Sequence, residues 1–195
     1  EALAFLQETG IYYLVDDLYR LIIIDSMFRQ DEEQRTHYMK KMLQYADFTE
    51  SDYSRWFVDI IQIHYLTFYR DEYDKAYDLL KSKKQGTYEF NLMEKEVADY
   101  FHLILEVAIL YRKGRFHDAL SLSSKMKQYD FFHHPYDLMI LYQVYGYRAL
   151  SLQEIGDHDA AVREIDIAME WMEPMPDSPY KDFVKKAAEK IYEGK

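Results

Sequence analysis

Apolar residues recur at helical spacing along almost the whole chain. Ile11, Leu14, Val15, Leu18, Ile22 and Ile23 follow an i, i+3, i+4 rhythm, and the stretch from about 32 to 46 carries Met39, Met42 and Leu43 on one side of a polar segment. Such periodicity predicts amphipathic helices. A third segment follows Thr49, where Asp52 stands at capping-box distance and offers acceptors to unpaired amides. Its residues Trp56, Val58, Ile60, Ile61, Ile63, Tyr65, Leu66 and Phe68 are apolar on more than one face. That pattern predicts a helix held between neighbours. Lys84-Gln85-Gly86-Thr87 breaks the rhythm, and Asn91 with Glu94 restarts it as a helix cap. The next helix runs to Arg112-Lys113-Gly114, with cations in its last turn and glycine at its stop. Pro135 to Gly156 repeats that grammar, and Ser178-Pro179 opens a final helix.

The turns between these helices are alike. Arg70-Asp71-Glu72-Tyr73-Asp74-Lys75-Ala76 aligns with Lys113-Gly114-Arg115-Phe116-His117-Asp118-Ala119 and with Ile155-Gly156-Asp157-His158-Asp159-Ala160-Ala161. The alanines are 43 and 42 residues apart, each preceded at three residues by Tyr73, Phe116 or His158. A small residue lets the second helix approach the first, and the ring plugs the turn. A period of this length predicts a solenoid whose units bury their faces by stacking. The expected fold is all-α, one domain over 1–195. Its helix pairs fall at about 11–46, 52–84, 91–128 and 135–173, with a capping helix at 178–193.

Gly156-Asp157-His158-Asp159-Ala160-Ala161, with Ala168 and Pro174 beyond, resembles the second half of a tetratricopeptide repeat. Gly114 to Ala119 is a looser match, and Asp71 to Ala76 a third with Asp in the glycine slot. The period of 42–43 exceeds the 34 of that family, which implies longer first helices. The resemblance implies a right-handed superhelix of antiparallel helix pairs. Long, aromatic-rich repeats of this kind also resemble the peptide-sensing bacterial regulators of the Rap, PlcR and Rgg type. The chain starts at Glu1 without Met, as the second domain of such a regulator would. The resemblance implies a short peptide as ligand and a DNA-binding domain on the missing side. A folded protein partner is the alternative.

Charge and composition narrow the chemistry. Asp and Glu number 35 against 24 Lys and Arg, a net charge of −11 that argues against direct binding to nucleic acid or an anionic membrane. The absence of cysteine excludes disulfides, thiolate metal sites and cysteine nucleophiles, and it suits a reducing, cytoplasmic setting. No apolar run is long enough for a membrane span. No phosphate loop, nucleophile elbow or zinc-protease motif is present, so neither an enzyme nor a cofactor is expected.

The repeat alignment picks the inward positions of the first helices. They are Val58, Ile61, Tyr65, Phe68 and Tyr69; then Phe101, Ile104, Ala108, Tyr111 and Arg112; then Gln143, Gly146, Leu150, Gln153 and Glu154. The peptide-binding expectation rests on Tyr65, Phe68, Tyr69, Phe101, Tyr111, Arg112, Gln143 and Gln153, with Arg112 meeting a ligand carboxylate. Packing between repeats would use the same rings. His133-His134 lack the spacing of a metal pair. Asp16-Asp17 and Asp31-Glu32-Glu33 read as solvated helix faces, and Lys81, Lys83 and Lys84 as a helix end complementing its dipole. Met126, Met139, Met169, Met172 and Met175 suit either an adaptable surface or core filling. Ile22 to Ile24 are open to a homodimer contact and to core burial alike. In the last helix Phe183, Val184, Ala187 and Ile191 share one face, with Lys181, Lys185 and Lys186 opposite.

Overall fold

The computed structural model describes residues 2–10, 14–83, 87–125 and 135–194. Ile11, Lys84, Gly86, Met126, His133 and His134 lie outside the described residues. Those described are helical with no strand among them. The helices are α1 Ala2–Thr9, α2 Val15–Phe28, α3 Glu32–Thr49, α4 Asp52–Phe68, α5 Tyr73–Ser82, α6 Leu92–Arg112, α7 Phe116–Ser123, α8 Pro135–Glu154, α9 His158–Met172 and α10 Pro179–Glu193. Helix α1 is additional to the pairs expected from periodicity. None of the described helices is long and apolar enough to cross a membrane.

Local chemistry explains most of the boundaries. Asn91 and Glu94 form a reciprocal capping box at α6. Ser178 caps α10, accepting from the Lys181 amide at 3.2 Å, with Pro179 in the first turn. The start of α4 differs from the expected Thr49–Asp52 pair. Helix α3 runs through Thr49, Ser51 accepts from the Ser54 amide, and Asp52 pairs with Arg55 at 2.7 Å while accepting from the Glu89 amide. A cap must sit outside the helix it caps, and the left-handed Glu50 (φ 54°) ends α3 immediately before Ser51.

Each aligned turn carries one left-handed residue. Asp71, Gly114 and Gly156 take φ of 53°, 71° and 88°. After each, an amide bonds back across the turn at 2.9 to 3.0 Å: Glu72 to Leu66 over six residues, and Arg115 to Leu110 and Asp157 to Leu152 over five. This pattern closes the orphan carbonyls of the preceding helix. Ala76, Ala119 and Ala161 then lie fully buried. The α2–α3 turn is a fourth copy: Gln30 has φ 57° and the Asp31 amide bonds Ser26 O at 2.8 Å. Arg35 occupies the alanine position there, buried under Tyr65 with its guanidinium 3.5 Å from the ring centroid. Gly156→Ala is expected to cost about 1 kcal/mol. A Cβ there meets nothing within 4 Å, so the loss is purely conformational. Urea unfolding measures it, and an unchanged midpoint would contradict the conformational account.

Packing follows the pairs and then runs across them. Helix α2 packs on α3, α4 on α5, α6 on α7 and α8 on α9, and the even-numbered helices form a row, α2 to α4 to α6 to α8 to α10. The apolar interior divides into three successive clusters: α1 to α4 around Ile23 and Met42, α4 to α6 around Trp56 and Ile63, and α6 to α10 around Tyr147 and Ile165. Phe28, Phe57, Phe68 and Phe101 each touch two of them. The row curls until its first and last members meet, with the rings of Phe28 and Tyr180 5.9 Å apart. Of the isoleucine run, Ile23 is buried and Ile22 and Ile24 are half-buried. Met172 is buried, and Met169 and Met175 half-buried.

Several charged groups also have structural partners. Asp16, expected on a solvated face, is half-buried; it binds Arg20 and accepts from Ser54 Oγ at 2.7 Å, tying α2 to α4. Asp31 caps α3, and Glu32 accepts from the Tyr65 hydroxyl at 3.3 Å. Lys81 binds buried Glu106 at 2.5 Å and Lys83 binds Asp59 at 3.0 Å, so carboxylates rather than a bare helix end hold these cations.

Candidate functional site

The curled row places aromatic side chains from five helices along one inner seam. Tyr147, fully buried near the middle of α8, is its hub. Its ring lies 4.5 Å from Phe183 on α10, 5.6 Å from Tyr111 at the end of α6 and 6.4 Å from Phe68 at the end of α4. The Phe68 ring lies tilted against His64 at 4.5 Å, and Tyr180 meets His64 edge-on at 6.4 Å. The seam therefore continues through His64 and Tyr180 to Phe28. Gly146 makes the α8–α10 approach possible, since a Cβ there would come within 2.9 Å of the Phe183 ring.

Of the expected binding residues, the seam brings together Phe68, Tyr111 and Arg112. Arg112 is exposed at the α6 terminus beside the Tyr147 hydroxyl and near Tyr73. Gln153 lies farther along, its amide oxygen 2.8 Å from His158 Nδ1 and its side chain close to Gly194 at the end of α10. Tyr65 turns toward α3, between Arg35 and Glu32, and carries Tyr69 with it in a stack at 5.7 Å. Phe101 sits 6.0 Å from Trp56 on the α4–α6 boundary, and Gln143 is buried. On α4, Val58 and Ile61 belong to the α1–α4 cluster, so the seam-facing positions are His64 and Phe68.

Tyr147, His64, Phe28, Tyr180 and Phe183 were not among the expected site residues. One signal for them is Gly146 itself, because a glycine inside a helical pattern marks close approach. The ring pair Tyr180 and Phe183, one turn apart at the start of a helix, is another.

Burial controls the electrostatics of the seam. It pushes the Tyr147 hydroxyl up, with Arg112 opposing the rise, and raises Tyr69 as well. At the far end Lys190 of α10 pairs with Glu154 of α8 at 2.6 Å, and that contact holds the ammonium above its ordinary pKa. His64 has a buried Nδ1 with no hydrogen-bond partner, and burial lowers its pKa from 6.5 to about 4. The unfolded chain takes up this proton near pH 6.5, whereas the folded chain resists until about pH 4. Stability should therefore fall through that window, by on the order of 2–3 kcal/mol, and level off below it. His64→Phe removes the penalty, so the variant should gain on the parent in urea midpoint as pH drops from about 7 to about 5. A constant difference would mean that the imidazole titrates as if in water.

Elsewhere, two shallow surface depressions are charged. One is bounded by Asp71, Glu72, Tyr73 and Lys113, the other by Asp31, Glu33, His37 and Lys40. In the first, Lys113 is already bound to Asp74 and Lys75 to Glu72. Among the described residues no group of three His, Cys, Asp or Glu side chains is placed to hold a metal ion. No protein-family model, curated protein or solved structure matches the chain.

Proposed function

We propose that this chain is a non-enzymatic sensing module, a right-handed solenoid of 42–43-residue helix pairs similar to tetratricopeptide repeats, that binds a short peptide on its inner face. The observation that carries this reading is the seam. Phe68, Tyr111 and Arg112, from two successive inner helices, meet at Tyr147 and leave a guanidinium exposed at the rim of an aromatic surface. Apolar rings supply contact area, and an exposed guanidinium supplies a bidentate partner for a peptide carboxylate. The left-handed turn within each of the four helix pairs supports the repeat architecture, because repeated units stack their inner helices into such a face. In a regulator of the Rap, PlcR or Rgg type, ligand binding would shift the helix pairs and pass that shift to an attached DNA-binding domain, through differential affinity for the two arrangements.

Selection of short random peptides on the immobilised chain tests the reading. Enriched sequences should end in a free carboxylate and lose about tenfold or more in affinity on Arg112→Ala, the scale of one charge-assisted contact. Circular dichroism should stay unchanged, since Arg112 is exposed. Failure to enrich any sequence, or binding indifferent to Arg112, would overturn the inner-face assignment.

A folded protein partner is a second reading, and it has its own observation. Trp171, 48 % exposed, stacks at 5.0 Å on Tyr142 beside exposed Ile167. Loss of partner capture on Trp171→Ala, with peptide binding unaffected, would favour it.

A further inference from the structure

Helix α10 occupies the seam as a ligand would. Tyr180, 3 % exposed, fits between Phe28 and His64. Phe183 lies over Gly146 and against Tyr147. Seven residues on, Lys190 reaches Glu154. The backbone of α10 packs along α8 and α9, whereas α2 and α4 meet it at the Tyr180 ring. The seat for that ring is thus built by helices on the opposite wall.

We propose that the inner face accepts an amphipathic helix with aromatic residues at i and i+3 and a lysine seven residues after the second ring, and that Tyr180 to Lys190 is the resident copy of this ligand, which a free segment of the same pattern displaces. The proposal rests on the reading of the inner face as a peptide site and specifies what that site takes. Three features of the seat match the pattern. Gly146 sacrifices helix propensity in the middle of α8 and makes room for a ring. Glu154 supplies the anion for the lysine, in a chain whose net charge of −11 favours a basic ligand. His64 Nδ1 remains unpartnered beside Tyr180, so the resident helix leaves a polar atom of the seat unsatisfied, and a ligand that donates there gains over it.

The attachment of α10 sets what displacement must break. The connector, residues 173–178, contains Pro174 and Pro176 and is tied down by Lys181 Nζ, which donates to the carbonyls of Glu173 at 2.8 Å and Met175 at 2.7 Å. Farther along, Ala187, Ala188 and Ile191 remain buried in the α6–α10 cluster. Displacement opens at the first turns, which carry both rings, and then frees Glu154 from Lys190, so that a ligand of the same pattern takes over all three seats.

The probe is a fluorescent synthetic peptide of residues 178–193, titrated into the full chain and followed by anisotropy. The resident helix competes in the parent, so apparent affinity scales with the open fraction. Phe183→Ala in the chain empties the ring seat without altering it, and the peptide should bind that variant at least about tenfold more tightly than the parent. Adding Gly146→Val, which fills the seat, should abolish the gain, and a scrambled peptide should not bind. Equal affinity for parent and Phe183→Ala, or an equal gain with Gly146→Val present, would overturn the proposal.

Hydrogen exchange on the unsubstituted chain gives a readout that no variant's folding can confound. Amides of residues 180–186 should exchange faster when the peptide is added, while those of α9 stay protected. Unchanged exchange at a saturating concentration also overturns the proposal. Random peptides that bind through Arg112 while the 178–193 peptide never binds would sink this inference and leave the broader reading intact. If neither class binds, both fail.

Discussion

Trp56→Ala is expected to lower the unfolding free energy by about 3–5 kcal/mol, the range for deleting a large buried ring. The indole is 2 % exposed, stacked on Tyr53 at 5.0 Å and edge-on to Phe90 and Phe101, each at 6.0 Å. It also donates from Nε1 to His102 Nε2 at 3.4 Å, so truncation both opens a cavity and removes a donor from a buried imidazole. These contacts hold α4 to α6 and to the segment that leads into α6. Equilibrium denaturation with guanidinium reads the effect directly. A loss under about 1 kcal/mol would mean that the middle cluster can collapse around the hole. Trp56→Phe should recover part of the loss, because the ring contacts outweigh the long hydrogen bond.

Tyr147→Ala should cost a similar amount, about 3–5 kcal/mol, for a different reason. Its ring is the hub through which Phe68, Tyr111 and Phe183 touch. Truncation removes the wall against which α10 rests, so the first turns of α10 should lose hydrogen-exchange protection beyond the general destabilisation. Tyr147→Phe keeps the ring and should stay within about 1 kcal/mol, since only a polar contact with Arg112 is lost. If the phenylalanine variant is as damaged as the alanine variant, the hydroxyl rather than the ring organises the seam.

The turn residues were legible because their conformation restricts residue type. Gly114 and Gly156 sit at φ values that favour glycine, and Asp71 belongs to the small group that tolerates them. The fourth turn has the same backbone but was hidden. Gln30 carries no such signature, and Arg35 replaces the buried alanine that marks the others. An arginine is tolerated there because Tyr65, on another helix, covers its guanidinium. A contact made thirty residues away leaves no trace in the local pattern.

The site divides along the same line. The repeat alignment shows which residues share a face of α4, and it placed Val58, Ile61, Tyr65, Phe68 and Tyr69 together. It does not say toward which neighbour that face turns. Helix α4 packs against α3, α5 and α6 and also touches α2, and the balance of those contacts rotates Tyr65 to α3 and leaves His64 and Phe68 on the seam. The terminal helix was correctly read as apolar on one side, with Phe183, Val184, Ala187 and Ile191 aligned. That its first ring reaches Phe28 on the far wall depends on the curl of the whole row, to which every interhelical packing angle contributes. Most helix positions, the α6 and α10 caps and the glycine-marked turns follow from interactions within a few residues and can be read in order along the chain. The rotation of each helix and the closure of the row arise from contacts between distant segments, which no local pattern encodes.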